Sequence, residues 1–254
     1  MKRLIFGMAA LFAVAAPNFA AAQTGYAGLS YSSNDDADVD TWSLNGAAAL
    51  GEHFQVDGLY ANLEDDGDDA DAFNVGGHGF VRNSNMLYGG YLGYNSVDVD
   101  GSDADEFVVA AEGQYYFNNA TASGSIGYAD GDVENADYDM WMIDAEYRYF
   151  ITPNLSVQGN LGYADGEVDN GFDFDGTSYG VGAEYQLASV PVSIYGGWQQ
   201  TELDVLGADD DSSSFGIGVR WNFGGTLKDR SQSGAGLSRP QGLIERTLAG
   251  YTPR

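Results

Sequence analysis

The chain has 254 residues, and its 38 Asp and Glu outweigh 10 Lys and Arg to give a formal net charge of −28. That balance excludes nucleic acid as a partner, since a phosphate backbone needs cations opposite it, and excludes electrostatic attachment to anionic lipid. The absence of cysteine excludes disulfides and thiolate metal sites.

The N-terminus is read as an export signal over residues 1–22. Lys2 and Arg3 open it, an apolar run from Leu4 to Ala16 follows, and Ala20, Ala21 and Ala22 offer small residues for cleavage before Gln23. The run is short of the roughly 20 residues that a spanning helix needs. No later segment is a better candidate, so a membrane location would require a closed barrel, because open sheet edges cannot face lipid.

From there, period-2 alternation predicts strands at about 25–32, 41–50, 54–63, 73–81, 86–96, 106–116, 121–129, 140–151, 155–164, 177–186, 191–200 and 212–223. The 36 Gly, 17 Tyr and 13 Phe against 5 Pro suit such a strand-rich chain. In the strand at 140–151, Trp141, Ile143, Ala145, Tyr147 and Tyr149 share one face; in the last, Phe215, Ile217, Val219, Trp221 and Phe223 do. The connections alternate strictly between two kinds. Long acidic ones lie at 33–40, 64–72, 97–105, 130–139, 165–176 and 201–211, and short ones at 51–53, 82–85, 117–120, 152–154 and 187–190. Both ends of the strand series fall on the short-turn side. The fold class expected for 23–223 is therefore all-β: an antiparallel up-and-down transmembrane β-barrel of 12 strands, with short periplasmic turns and longer acidic extracellular loops.

Charge and aromatic placement agree with that scheme. Asp57, Glu106, Glu112, Asp144, Glu146 and Glu184 fall opposite the apolar residues of their strands, as do Arg148 and Arg220. A charge facing lipid at the midplane would cost about 2–4 kcal/mol. Outward aromatics gather in two belts: Trp42, Tyr60, Trp141, Tyr163, Tyr179 and Trp198 near the long loops, and Phe54, Tyr115, Tyr149, Tyr185, Trp221 and Phe223 near the short turns.

Residues 224–254 read as a separate, basic and flexible periplasmic tail. Lys228, Arg230, Arg239, Arg246 and Arg254 stand against only Asp229 and Glu245, 231–242 is rich in Gly, Ser and Pro, and Leu243 to Ala249 is read as one or two helical turns.

The stretches "LYGGYLGYN", "ASGSIGYADGDV", "VQGNLGYADGEV" and "FGIGVRWNF" resemble small porin-family outer-membrane proteins of Gram-negative bacteria over about residues 23–223. The resemblance implies Sec export, residence in the outer membrane, and assembly by the barrel-insertion machinery guided by a final strand ending in an aromatic. Phe223 fits that pattern, although 31 residues follow it.

The candidate lumen set is Asp57, Glu112, Asp144, Glu146, Arg148, Glu184 and Arg220, among Ser43, Asn45, Gln114, Ser125, Gln158, Asn160 and Ser193. Inward carboxylates favour cations, and the many small inward residues favour an open pore over one knitted shut by its charges. Glu146 and Arg148 are expected to pair with neighbouring strands. The expected role is passive diffusion of small hydrophilic solutes with cation preference; the alternative is a non-conducting structural or adhesive barrel working through its acidic loops. No cofactor is expected. The acidic loops lack EF-hand spacing, so Ca²⁺ or Mg²⁺ would bind them loosely, bridging to lipopolysaccharide phosphates. No enzymatic activity is expected: His53 lies in a short turn, and His78 points inward away from the outer rim, without a nucleophile in the pattern.

Overall fold

The computed structural model describes residues 22–34, 39–64, 69–99, 102–133, 136–168, 171–205 and 208–248. Apart from Ala22, the segment read as an export signal lies outside them.

Twelve antiparallel strands run in chain order: β1 (Ala22–Asn34), β2 (Val39–Leu50), β3 (Phe54–Glu64), β4 (Asp69–Arg82), β5 (Met86–Val99), β6 (Ser102–Tyr116), β7 (Ala120–Val133), β8 (Ala136–Thr152), β9 (Leu155–Val168), β10 (Phe172–Gln186), β11 (Val192–Val205) and β12 (Ala208–Phe223). Each pairs with its chain neighbours, and β1 closes the ring against β12, from Gly25 opposite Phe223 to Asn34 opposite Ser214. Closure leaves no strand edge unpaired, the condition a sheet must meet in hydrocarbon. No described helix is long and apolar enough to cross a membrane.

The faces alternate as the pattern demands. Leu92, Val109, Ile126, Ile143, Leu161, Val181 and Ile217 are exposed around the middle of the outer face. Trp42, Trp141 and Tyr163 flank them toward the acidic end, and Phe54, Tyr115, Tyr149, Tyr185 and Trp221 toward the short turns. Short turns fall within a residue of their expected places, and Gly51, at φ 71°, supplies the left-handed backbone one of them needs.

At the other end the strands outrun their sequence-based limits. The acidic segments expected to be loops are largely strand: the β5–β6 ladder continues to Val99 opposite Ser102, and the β7–β8 ladder to Val133 opposite Ala136. Apolar alternation stops where lipid stops, but backbone pairing does not require it. Side chains add cross-strand links there: the hydroxyls of Tyr31, Tyr60, Tyr94 and Tyr179 donate to Asp40 (2.7 Å), Asp71 (2.5 Å), Asp105 (2.6 Å) and Glu202 (3.1 Å). Alternation thus locates the lipid-facing belt, whereas strand length follows the backbone ladder.

The larger difference is the C-terminal segment. Residues 224–254 were expected to trail free of the barrel; over their described part they run inside it. Gly224 (φ 84°) and Gly225 (φ 127°) turn the chain inward after β12. A short helix α1 (Leu227–Ser233) then lies across the short-turn mouth. Thr226 caps it: its hydroxyl accepts from the Asp229 amide at 3.1 Å, while its own amide donates to the Asp229 carboxylate at 3.0 Å. An extended stretch rises through the lumen to α2 (Leu243–Leu248). Leu227, Ala235, Leu237 and Ile244 are buried, as are Arg230, Arg239, Gln241 and Arg246. The separate tail is therefore the core of the barrel.

Candidate functional site: the barrel lumen

Asp57, Glu112, Asp144, Glu146, Arg148, Glu184 and Arg220 all lie buried on the inner face. They fall into four ionic groups, three of which are completed by a residue outside this set.

Near the short-turn end, Glu184 on β10 receives two guanidinium groups. Arg220 of β12 donates Nη1 to its Oε2 at 2.8 Å, and Arg230 of α1 donates Nη2 to the same oxygen at 2.7 Å. Ser193 donates to Oε1 at 2.5 Å. Arg220 is held between aromatic faces, 4.4 Å from the Tyr26 ring centre and 4.2 Å from that of Tyr195, and Arg230 lies 4.9 Å from the Tyr26 ring. Two cations on one carboxylate repel one another, and the aromatic faces offset part of that cost.

Asp57 and Glu112 share His78. Its Nε2 lies 2.6 Å from Asp57 and its Nδ1 2.9 Å from Glu112, while Tyr91 packs on the ring at 4.8 Å between centres. Both nitrogens are engaged by carboxylates, leaving neither for a substrate proton, so the geometry makes His78 a bridge between β3 and β6. Tyr91 lies over the backbones of Gly76 and Gly93, where any Cβ would meet its ring. Gly93→Val is accordingly expected to push Tyr91 off His78 and to destabilise the barrel by about 1–3 kcal/mol, the usual cost of overpacking. Urea unfolding from lipid vesicles measures it, and an unchanged midpoint would mean that the ring has room to move.

On β8, Glu146 pairs with Arg148 itself at 3.0 Å, two residues along the same strand, rather than with a neighbouring strand. Asp144 receives Arg246 of the tail at 3.2 Å, and the Ser178 hydroxyl accepts from the same guanidinium at 2.7 Å. Among the other inward polar residues, the Ser43 hydroxyl shares a hydrogen bond with Ser30 (2.6 Å), the Asn45 side chain donates to Tyr195 (3.3 Å), and Ser125 lines a small cavity beside Asp144.

Inner-wall residues also hold the tail backbone. Gln55 donates to the Leu237 carbonyl at 2.8 Å and accepts from its amide at 3.1 Å, like a strand partner made of side chain. Gln114 donates to Gly236 (2.7 Å) and Arg82 to Gly234 (2.8 Å). Glu106 accepts from Asn95, from Tyr138 and from the Leu243 amide at 2.7 Å. A side chain at position 242 would run into that carboxylate, so glycine lets the backbone pass. These contacts satisfy polar groups that a dry interior could not otherwise hold.

Sequence reasoning missed the apolar part of this face. Tyr91, Val108, Met140, Met142 and Phe174 pack with Leu243; Leu63 and Val97 with Ile244; Phe80, Leu87 and Tyr116 with Leu237; Tyr26 and Ala47 with Ala235. The signal was present as broken alternation. The run Met140, Trp141, Met142, Ile143 is apolar on both faces, as is Phe107, Val108, Val109. A strand between lipid and water should alternate, so such runs mark strands covered on both sides.

The family model for the outer membrane protein beta-barrel domain matches residues 84–223. Among solved structures, the NanC porin aligns over 77% of this chain and 98% of its own, at 10% identity and a TM-score of 0.58. Outer-membrane expressed OmpT of Vibrio cholerae aligns over 79% and 96%, at 13% identity and a TM-score of 0.50. Likeness at these identities shows the fold. No curated protein matches the chain in sequence.

Proposed function

The chain belongs to the outer membrane protein β-barrel domain family, and from that premise we propose a porin-like role: passive diffusion of small hydrophilic solutes across the outer membrane, with a preference for cations. The observation that carries the reading is the charge of the inner wall. Asp57, Glu106, Glu112, Asp144, Glu146 and Glu184 face Arg148 and Arg220 alone among the wall's buried guanidinium groups. Enclosed by low-dielectric walls, that excess lowers the barrier for a cation and raises it for an anion. A likeness in fold to the NanC porin supports the architecture on which the reading stands. The short-turn end, where the tail enters, is assigned to the periplasm and the acidic strand ends to the cell exterior.

One observation favours a second reading. With the tail seated, the wall carboxylates are occupied and the lumen is packed, as in a non-conducting barrel that works through its acidic outer end. Single-channel recording of refolded protein under a salt gradient separates the two. Steps with a cation-selective reversal potential, in the chain or in variants that loosen the tail, are the expected result. Silence from folded, heat-modifiable protein in every such variant would favour the second reading.

A further inference from the structure

The wall and the segment within it are joined unevenly. All twelve strands pair with one another, and the ring closes through β1 and β12 without any residue of the tail. The segment adds no strand to the sheet; among the described residues its backbone-to-backbone link to the wall is a single bond from the Lys228 amide to the Pro153 carbonyl, at 3.1 Å. The rest is side-chain hydrogen bonding, ion pairing and four small apolar contacts. Where the segment leaves β12 it turns on two successive glycines at positive φ. It could therefore leave the lumen as a unit, with water replacing its polar contacts and no ladder broken.

What it would leave behind are two cation sockets, the first of them shaped for a planar cation. In the first, Glu184, Asn222 and the Tyr26 ring surround Arg230, whose guanidinium reaches both carboxylate oxygens and the Asn222 amide oxygen. In the second, Asp144 and the Ser178 hydroxyl hold Arg246, and a side chain at position 162 would fill the same space. In the first socket, bidentate carboxylate contact and an aromatic face suit guanidinium better than a point charge; the second offers one carboxylate oxygen and a hydroxyl to two nitrogens of the same guanidinium. The segment thus carries the two cations that its own acidic channel is built to accept.

We propose that residues 226–248 are a detachable plug, and that the sockets holding Arg230 and Arg246 are cation sites of the channel, which guanidinium-bearing solutes take when the plug is out. The proposal rests on the channel reading for its solute but not for the plug itself. Basic residues in the tail and acidic residues on the wall then share one cause: the plug offsets part of the negative charge of the lumen that it closes.

The test uses the full chain, which holds no cysteine, with Ala47→Cys as a reporter where the wall packs on Ala235. Refolded into vesicles, this cysteine is expected to resist a water-soluble maleimide. Adding Arg230→Glu with Arg246→Glu sets like charges in both sockets and is expected to speed labelling at least tenfold and to start cation-selective conductance. Arg230→Lys with Arg246→Lys is expected to restore most of the protection. Millimolar agmatine, a compact guanidinium cation, is expected to speed labelling several-fold in the chain that carries the reporter alone. Labelling as slow in a folded charge-reversed chain as in the parent overturns the plug. Equal, non-zero conductance in parent and reversed chains also overturns it and leaves the channel standing. Fast labelling without conductance upholds the plug and removes the channel. Should the reversed chain fail to fold, the agmatine arm decides: no acceleration overturns the sockets as solute sites.

Discussion

Glu184→Ala is expected to be among the most damaging single changes in this chain, lowering stability by about 3–5 kcal/mol, the usual cost of stripping a buried ion pair of one partner. The carboxylate accepts from Arg220, Arg230 and Ser193, and all of these side chains are buried. Alanine would leave two guanidinium groups facing each other with no anion between them. The wall cannot release Arg220, which sits within β12 between Tyr26 and Tyr195. The tail can release Arg230, because α1 is tethered through Gly224 and Gly225. Adding Arg230→Ala to Glu184→Ala should therefore recover part of the loss, a non-additivity expected of residues in one ionic group. Urea titration of the protein in vesicles reads both values. A single-variant loss below about 1 kcal/mol would show that water reaches Arg220 and that the group is not dry.

Leu92→Arg is expected to cost about 2–4 kcal/mol, the depth-dependent cost of placing arginine on the lipid face near the midplane. Leu92 lies outward on β5 between Gly77 and Val109 of the neighbouring strands and is 65% exposed, within the apolar band of the outer face. Asp98→Arg, six residues further along the same strand and also exposed, lies beyond the upper aromatics and should cost about 0–1 kcal/mol. The same titration compares them. Equal costs at the two positions would place the apolar belt somewhere other than the band defined by Trp42, Trp141 and Tyr163.

The barrel and its two faces were legible because each depends on a local regularity. Side chains on a strand alternate, so one apolar and one mixed face can be read from single segments such as 140–151, and the inward positions of Asp144, Glu146 and Arg148 follow from the outward position of Trp141. The upper strand limits were not legible. Asp98, Asp105 and Asp130 carry loop-like composition, yet they stand on paired strands whose ladder needs only backbone. Carboxylate partners were hidden for a different reason. That His78 joins Asp57 to Glu112 depends on register across β3, β4, β5 and β6, which no single strand records.

By itself the sequence determined an acidic twelve-stranded barrel, which residues face lipid and which face inward, and that a basic segment follows the last strand. Only the tertiary structure decided where that segment goes. Arg246 meets Asp144 across 102 residues, Arg230 meets Glu184 across 46, and Leu237 meets Gln55 across 182. Hydrophobic periodicity is set by lipid against water within one strand and survives in any local window. The match of charge and shape between tail and lumen exists only once the ring has closed and brought Glu184, Asn222 and Tyr26 to one socket and Asp144 and Ser178 to the other.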